Sequence, residues 1–221
     1  TAWTANIGAT ITDTFSYRGA QSLLLTPCTP PTEATHRFGA YDGHNVVFVD
    51  MFTKPVAGDA GGPSVFIQTD VANVALVRSA SEGELHIWDG GGGWRSVGGK
   101  VSLASDGQAA DWLRITIRED FATKTWDFYV DGTLIACDAG FADGSRALFT
   151  QITLLGSTTA ASVFDDFYVG FENPLFADVN NDGIDDAWEV FYGLSLTTNN
   201  RNRVLAGSTQ SVIQAYLNGN D

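Results

Sequence analysis

From about residue 7 to residue 171, short runs of β-branched, aromatic and aliphatic residues alternate with turn-forming clusters. The runs VVFVDMF (46–52), PSVFIQT (63–69), ELHIW (84–88), DWLRITIRED (111–120), TWDFYVDGTLIACD (125–138), LFTQITLLG (148–156) and SVFDDFYVGF (162–171) have the lengths of strands or hairpins. Their spacing predicts an antiparallel sandwich. In the fourth run Leu113, Ile115 and Ile117 alternate with Trp112, Arg114, Thr116 and Arg118, which predicts one buried and one wetter face. Asp131-Gly132, between WDFYV and TLIAC, is a strong two-residue hairpin signal. Asp42-Gly43, Asp89-Gly90, Asp106-Gly107 and Asp143-Gly144 repeat it.

After Pro174 the period changes. ADVNNDGIDDAWEVFYGL carries helical spacing behind an acidic loop, and STQSVIQAYLNG reads as a second short helix with Ser or Thr caps and a terminal Gly. The chain therefore divides into a β-sandwich over residues 1–173 and a small helical tail over 174–221. The tail is too short to bury a core of its own, so a metal or docking onto the sandwich must supply its stability.

Composition narrows the partners. A formal charge of −14, a pI near 4.3 and only 12 Lys and Arg argue against a nucleic-acid partner and disfavour anionic membranes. No apolar run reaches the length of a membrane helix, and the first residue, Thr1, without a signal-peptide pattern fits a processed chain. With the acidic surface, this points outside the cell. Cys28 and Cys137 are the two cysteines. One disulfide and two buried free thiols explain them equally well.

DVNNDGIDDAWE (178–189) has the chemistry of a calcium loop. Calcium takes six to eight hard oxygen ligands. Asp178, Asn180 and Asp182 stand at alternate positions, Gly183 is the bend, Ile184 offers its carbonyl, Asp186 follows, and Glu189 is long enough to reach back with both oxygens. The plain alternative is a solvated acidic turn capping the helix that starts near Asp185. Asp185 occupies a position that is aliphatic in an EF-hand. The arrangement, followed by YGL, resembles the bacterial thrombospondin type 3-like calcium repeats related to dockerin loops. In those repeats a second acidic loop often precedes the last helix; here NNRNRVLAG carries Arg201 and Arg203 instead of carboxylates, so a second calcium is not expected. Residues 7–171, with TWDFYVDGTLIACD and FDDFYVG, resemble the concanavalin A-like jelly roll that includes laminin-G-like domains. The resemblance implies an antiparallel jelly-roll β-sandwich with a small C-terminal helical calcium-binding subdomain, and leaves function open between lectins, hydrolases, lyases and structural domains.

Signs of catalysis are missing. A retaining glycosidase on this fold would need paired carboxylates in an E-x-D-x-x-E pattern. The nearest pairs are Glu82 with Glu84, in a polar turn, and the adjacent Asp165 and Asp166. His36, His44 and His86 lack the Tyr and basic neighbours of a lyase site. The loop WDGGGGWRS (88–96) offers Trp88 and Trp94 as platforms for sugar rings, with Asp89 and Arg95 as hydrogen-bonding partners; the competing reading is a strand end and a mobile glycine tip. Thr1–Phe15 carries no charge before Asp13, so it suits either the first strand of its own sheet or the edge of another copy. The expectation is a non-catalytic, extracellular calcium-binding structural or adhesive subunit that assembles with copies of itself into a filament or surface layer. The alternative is a carbohydrate-binding module of a larger secreted protein, with polysaccharide as partner.

Overall fold

The computed structural model describes residues 3–39, 44–57, 67–69, 74–80, 82–103 and 111–219. Residues 63–66 of the expected second run, and the Asp42-Gly43 and Asp106-Gly107 turns, lie outside the described residues. Among the described residues there are fourteen strands: β1 (Trp3–Ala5), β2 (Ala9–Thr12), β3 (Ser22–Leu25), β4 (Glu33–Arg37), β5 (Val46–Lys54), β6 (Ile67–Thr69), β7 (Leu76–Ser79), β8 (Glu84–Asp89), β9 (Gly93–Lys100), β10 (Leu113–Asp120), β11 (Thr125–Val130), β12 (Thr133–Gly140), β13 (Gln151–Leu155) and β14 (Ser162–Gly170). Two short helices follow, α1 (Asp186–Phe191) and α2 (Val212–Leu217).

The strands form two seven-stranded sheets, in the orders β1-β4-β13-β6-β7-β8-β9 and β12-β11-β10-β5-β14-β3-β2. All named pairings are antiparallel. The fold is a β-sandwich. Its core draws on the inward faces of both sheets: Ile87 and Leu154 come from the first, Met51, Ile115, Trp126 and Phe164 from the second. The Asp131-Gly132 turn joins β11 to β12 as its sequence predicts.

Trp3–Ala5 pairs with β4 of its own chain, and Ala9–Thr12 pairs with β3. Both N-terminal strands are thus used internally, and each lies at the edge of its sheet. Cys28 and Cys137 are free thiols. Cys28 follows β3 and Cys137 lies in β12, five strand spacings away in the same sheet. At about 4.8 Å per spacing the gap is far beyond the ~7 Å Cα separation a disulfide tolerates. Of the two readings, the free thiols are what the fold permits.

The wetter face of β10 is not wet. Thr116 and Arg118 are buried, because the tail packs across the outer face of β10, β11 and β12. Ile184, Leu194, Val212 and Ile213 of the tail close a second apolar cluster with Tyr129 and Leu134 of the sheet. Docking therefore supplies apolar burial that the tail lacks alone. Each helix starts on a side-chain cap: Asp185 accepts the Ala187 amide at 2.8 Å, and Ser211 forms a capping box with Gln214.

Candidate functional site

The acidic loop is held against the sandwich by its own carbonyls. Arg118 Nη2 donates to the Asn181 carbonyl at 2.6 Å, and the Tyr129 hydroxyl donates to the Gly183 carbonyl at 2.9 Å. Gly183 has φ +84° and sits so close to the sheet that a Cβ would lie 3.1 Å from both Tyr129 Oη and Arg201 Nη1. Only glycine makes this bend at this distance. Arg201 locks the arrangement. Its guanidinium donates to both oxygens of buried Asp127, to Asp138 Oδ1 at 2.8 Å and to the Asp182 carbonyl at 2.9 Å. Burial works against the Arg201 charge, but Asp127 and Asp138 more than offset it and hold its pKa above the ordinary value. Sequence reasoning saw Arg201 only as a lost carboxylate; the residue is the tail's anchor.

Inside the loop the carboxylates turn inward. Asp178 accepts the Asp182 and Gly183 amides at 3.0 Å each, and Asn180 Oδ1 accepts the Asp182 amide at 3.1 Å. Asp182 accepts the Ile184 amide at 3.1 Å and the Asn200 amide at 2.8 Å, and Asp186 accepts the Val179 amide at 3.1 Å. Glu189, fully buried, faces the side-chain amides of Asn180 and Asn200, at 3.1 and 2.6 Å. Burial raises the pKa of Asp178, Asp182 and Glu189, and neighbouring carboxylates push Asp178 and Glu189 further up. Among the described residues no three His, Cys, Asp or Glu side chains are grouped tightly enough to hold a metal as they stand. The donor set is nonetheless hard oxygen throughout, and Glu189 is a buried anion met by two neutral amides. That chemistry fits a calcium ion.

A second constellation lies on the outer face of the first sheet. In the β8–β9 hairpin Trp88 pairs with Trp94 and His86 with Ser96, and Arg78 of β7 lies opposite His86. Alternation puts these residues on one face, away from core Leu85 and Ile87. The indoles of Trp88 and Trp94 meet edge to face, centroids 5.6 Å apart at 89°. Arg78 covers the Trp94 ring at 4.2 Å, and its Nη2 lies 3.5 Å from His86 Nδ1. His86 Nε2 lies 3.3 Å from Glu84 Oε2, and Ser96 bonds the other oxygen of Glu84. Those hydrogen bonds hold Glu84 below the usual carboxylate range, while burial lowers Arg78.

Asp89 and Arg95, joined at 2.8 Å, alternate to the opposite face of the hairpin, where Arg95 is in register with core Ile87. The glycine tip is anchored, in contrast to the mobile tip expected from four consecutive glycines. Gly90–Gly92 form a 3-10 turn, and Asp89 Oδ1 accepts the Gly140 amide at 2.8 Å. Gly90 and Gly140 touch backbone to backbone: a Cβ on Gly140 would meet Gly90 Cα at 3.2 Å. Of the four residues predicted as a sugar platform, the hairpin sets Trp88 and Trp94 on one face beside Arg78, Glu84, His86 and Ser96, while Asp89 and Arg95 pair on the other face and serve the hairpin's anchorage. The period-two pattern of ELHIW already set Glu84, His86 and Trp88 on one side. Arg78 comes from another strand and carried no local signal.

No protein family's profile matches the sequence, and no curated protein does. Solved structures match by shape. A sialidase superposes at TM-score 0.54 with 10% identity, over 81% of this chain and 17% of its own. The binding domain of botulinum neurotoxin DC, solved in complex with SialylT, gives 0.52 and 12%, over 76% of this chain and 42% of its own. A cellulose-induced protein gives 0.50 and 12%, over 76% and 90%. The chain spans less than half the length of the first two. What it shares with all three is the antiparallel β-sandwich.

Proposed function

We propose that this chain is a non-catalytic carbohydrate-binding module, and that the outer face of β7, β8 and β9 holds the glycan. The observation that carries this reading is the Trp88–Trp94 pair, set on an anchored hairpin beside the row Arg78, His86, Glu84 and Ser96. Aromatic faces match the apolar C–H faces of pyranose rings, and charged or polar groups alongside take the hydroxyls. Positive and negative groups are mixed on this face, which suits a neutral polysaccharide. The likeness in shape to a toxin binding domain solved with SialylT adds support at the level of fold only.

Calcium has a structural role in this account. Asp178, Asn180, Asp182, the Ile184 carbonyl, Asp186 and Glu189 would hold it, and the ion would neutralise carboxylates that otherwise repel one another. The module works outside the cell, where calcium is plentiful. A second reading, the self-assembling structural subunit, rests on Ile7 and Ile11, which are 85% and 62% exposed at or beside edge strand β2. Sedimentation at rising concentration tests it: a monomer throughout removes it.

Affinity electrophoresis through gels containing hydroxyethylcellulose, xylan or laminarin tests the leading reading. Retardation by at least one of them, abolished in Trp94→Ala, is expected. Equal mobility in every gel, or retardation untouched by Trp94→Ala, overturns it.

A further inference from the structure

Beside the tail, on the outer face of the second sheet, three aromatic rings gather from separate segments. Tyr17, in the β2–β3 connection, stacks on Phe52 of β5 with centroids 3.5 Å apart at 13°. Trp112, just before β10, meets Tyr17 edge-on at 5.8 Å and 66°. Tyr17 is 40% exposed. We infer that this platform is a second ligand site, for a carboxylated pyranose such as a uronate or sialate residue.

The platform is built rather than incidental. Asp165 Oδ2 accepts the amides of Tyr17 and Arg18 at 2.7 and 3.0 Å, and its Oδ1 accepts the Asp166 amide at 2.8 Å. This buried carboxylate pins the segment that carries Tyr17. Beneath the rings, Arg114 forms a two-pronged pair with buried Asp50 and donates to the Pro174 carbonyl, and its guanidinium lies 5.6 Å from the Phe52 ring. The two buried acids are thus spent on structure.

Charge then selects the ligand. The chain has 12 Lys and Arg against 26 Asp and Glu, yet three of those cations border this platform. Lys54 lies over the Trp112 ring at 5.1 Å, and the Arg18 guanidinium lies 6.0 Å from the Tyr17 ring. The Arg18 side chain is 73% exposed and its bridge to half-buried Asp166 is 3.5 Å long, a contact of the kind that contributes little in water. A carboxylate can therefore displace Asp166 from Arg18. Its pyranose ring would lie on Tyr17 and Trp112, and the carboxylate would accept from Arg18. This site is on the opposite sheet from the Trp88–Trp94 face and does not depend on that reading.

Isothermal titration with trigalacturonate, 3′-sialyllactose and neutral cellotriose, in low salt, tests the inference. At least one acidic sugar should bind, cellotriose more weakly at this site. Tyr17→Ala and Arg18→Gln should each weaken acidic-sugar binding by about tenfold, Asp166→Asn should strengthen it, and Trp94→Ala should leave it unchanged. Thermal melts of the variants exclude misfolding, and Arg18→Gln, at an exposed position, keeps the test readable if Tyr17→Ala unfolds. The inference is overturned if neither acidic sugar binds, if Arg18→Gln and Asp166→Asn leave binding unchanged, or if binding is lost in Trp94→Ala instead.

Discussion

Replacing Arg201 by Gln should release the tail from the sandwich. Arg201 is nearly buried, with 6% of its side chain exposed, and its partner Asp127 is fully buried. Without the guanidinium, Asp127 keeps the Asp138 amide at 3.0 Å and a single, longer ion pair to Arg118 at 3.4 Å. Leaving one member of a buried pair uncompensated costs roughly 3–5 kcal/mol. The bond to Asp138, whose side chain is 40% exposed, adds under about 1 kcal/mol because water screens it. For a chain of this size each kcal/mol lowers Tm by about 2–4 °C, so calorimetry should show a fall on the order of 10 °C or a separate early transition as the tail undocks. Asp127→Asn should cost a similar amount, and the double variant clearly less than the sum of the two, since the second change removes a group the first has already orphaned. If Arg201→Gln costs less than about 1 kcal/mol, or the two changes add to within roughly 0.5 kcal/mol, the charge network does not hold the tail and this reasoning is wrong.

Adding calcium at about 100 times its Kd should stabilise the protein by roughly 2.7 kcal/mol, with the gain lost in Glu189→Gln; unchanged melting in calcium and in chelator, with no ion uptake, refutes the loop assignment. Gly183→Ala should destabilise by about 1–3 kcal/mol through its positive φ and crowding against Tyr129 and Arg201, seen as a lower urea midpoint and faster proteolysis of residues 174–219. Mass spectrometry of unreduced, denatured protein should find two free thiols. Burial, aided by Asp138 and Asp127, pushes the Cys137 thiol up to about 11, so at pH 8 only about one molecule in a thousand carries its thiolate. Alkylation of native protein at Cys137 should be slow and should speed up as pH rises; rapid labelling at pH 8 would contradict that burial.

The strands that carry strong alternation were legible in the sequence, and so was the hairpin at Asp131-Gly132. β9, GWRSVGGK, was not, because six of its eight residues are glycine or polar and its pairing comes from ELHIW across the turn. β4, EATHR, has no apolar alternation of its own and is a strand because β1 and β13 supply partners on both sides. The sequence shows the polarity of Thr116 and Arg118 but not their burial. What covers them is a tail distant in sequence, whose Arg201 answers Asp127 only in three dimensions. The same holds for the candidate sites. The spacing of Asp178, Asn180, Asp182 and Glu189 in the sequence points to a common centre, whereas Tyr17, Phe52 and Trp112 come from three segments that no local pattern connects. At Gly90 the sequence suggested freedom, and contact with Gly140 removes it.

The central claim is that a glycan lies on Trp88 and Trp94. Its most direct test follows the indole N–H resonances of the six tryptophans while the neutral polysaccharide fragment that retards the protein is added. The account predicts that Trp88 and Trp94 shift together and saturably, while Trp126, fully buried between the sheets, stays in place. Shifts confined to other tryptophans, or none at saturating sugar, would contradict it.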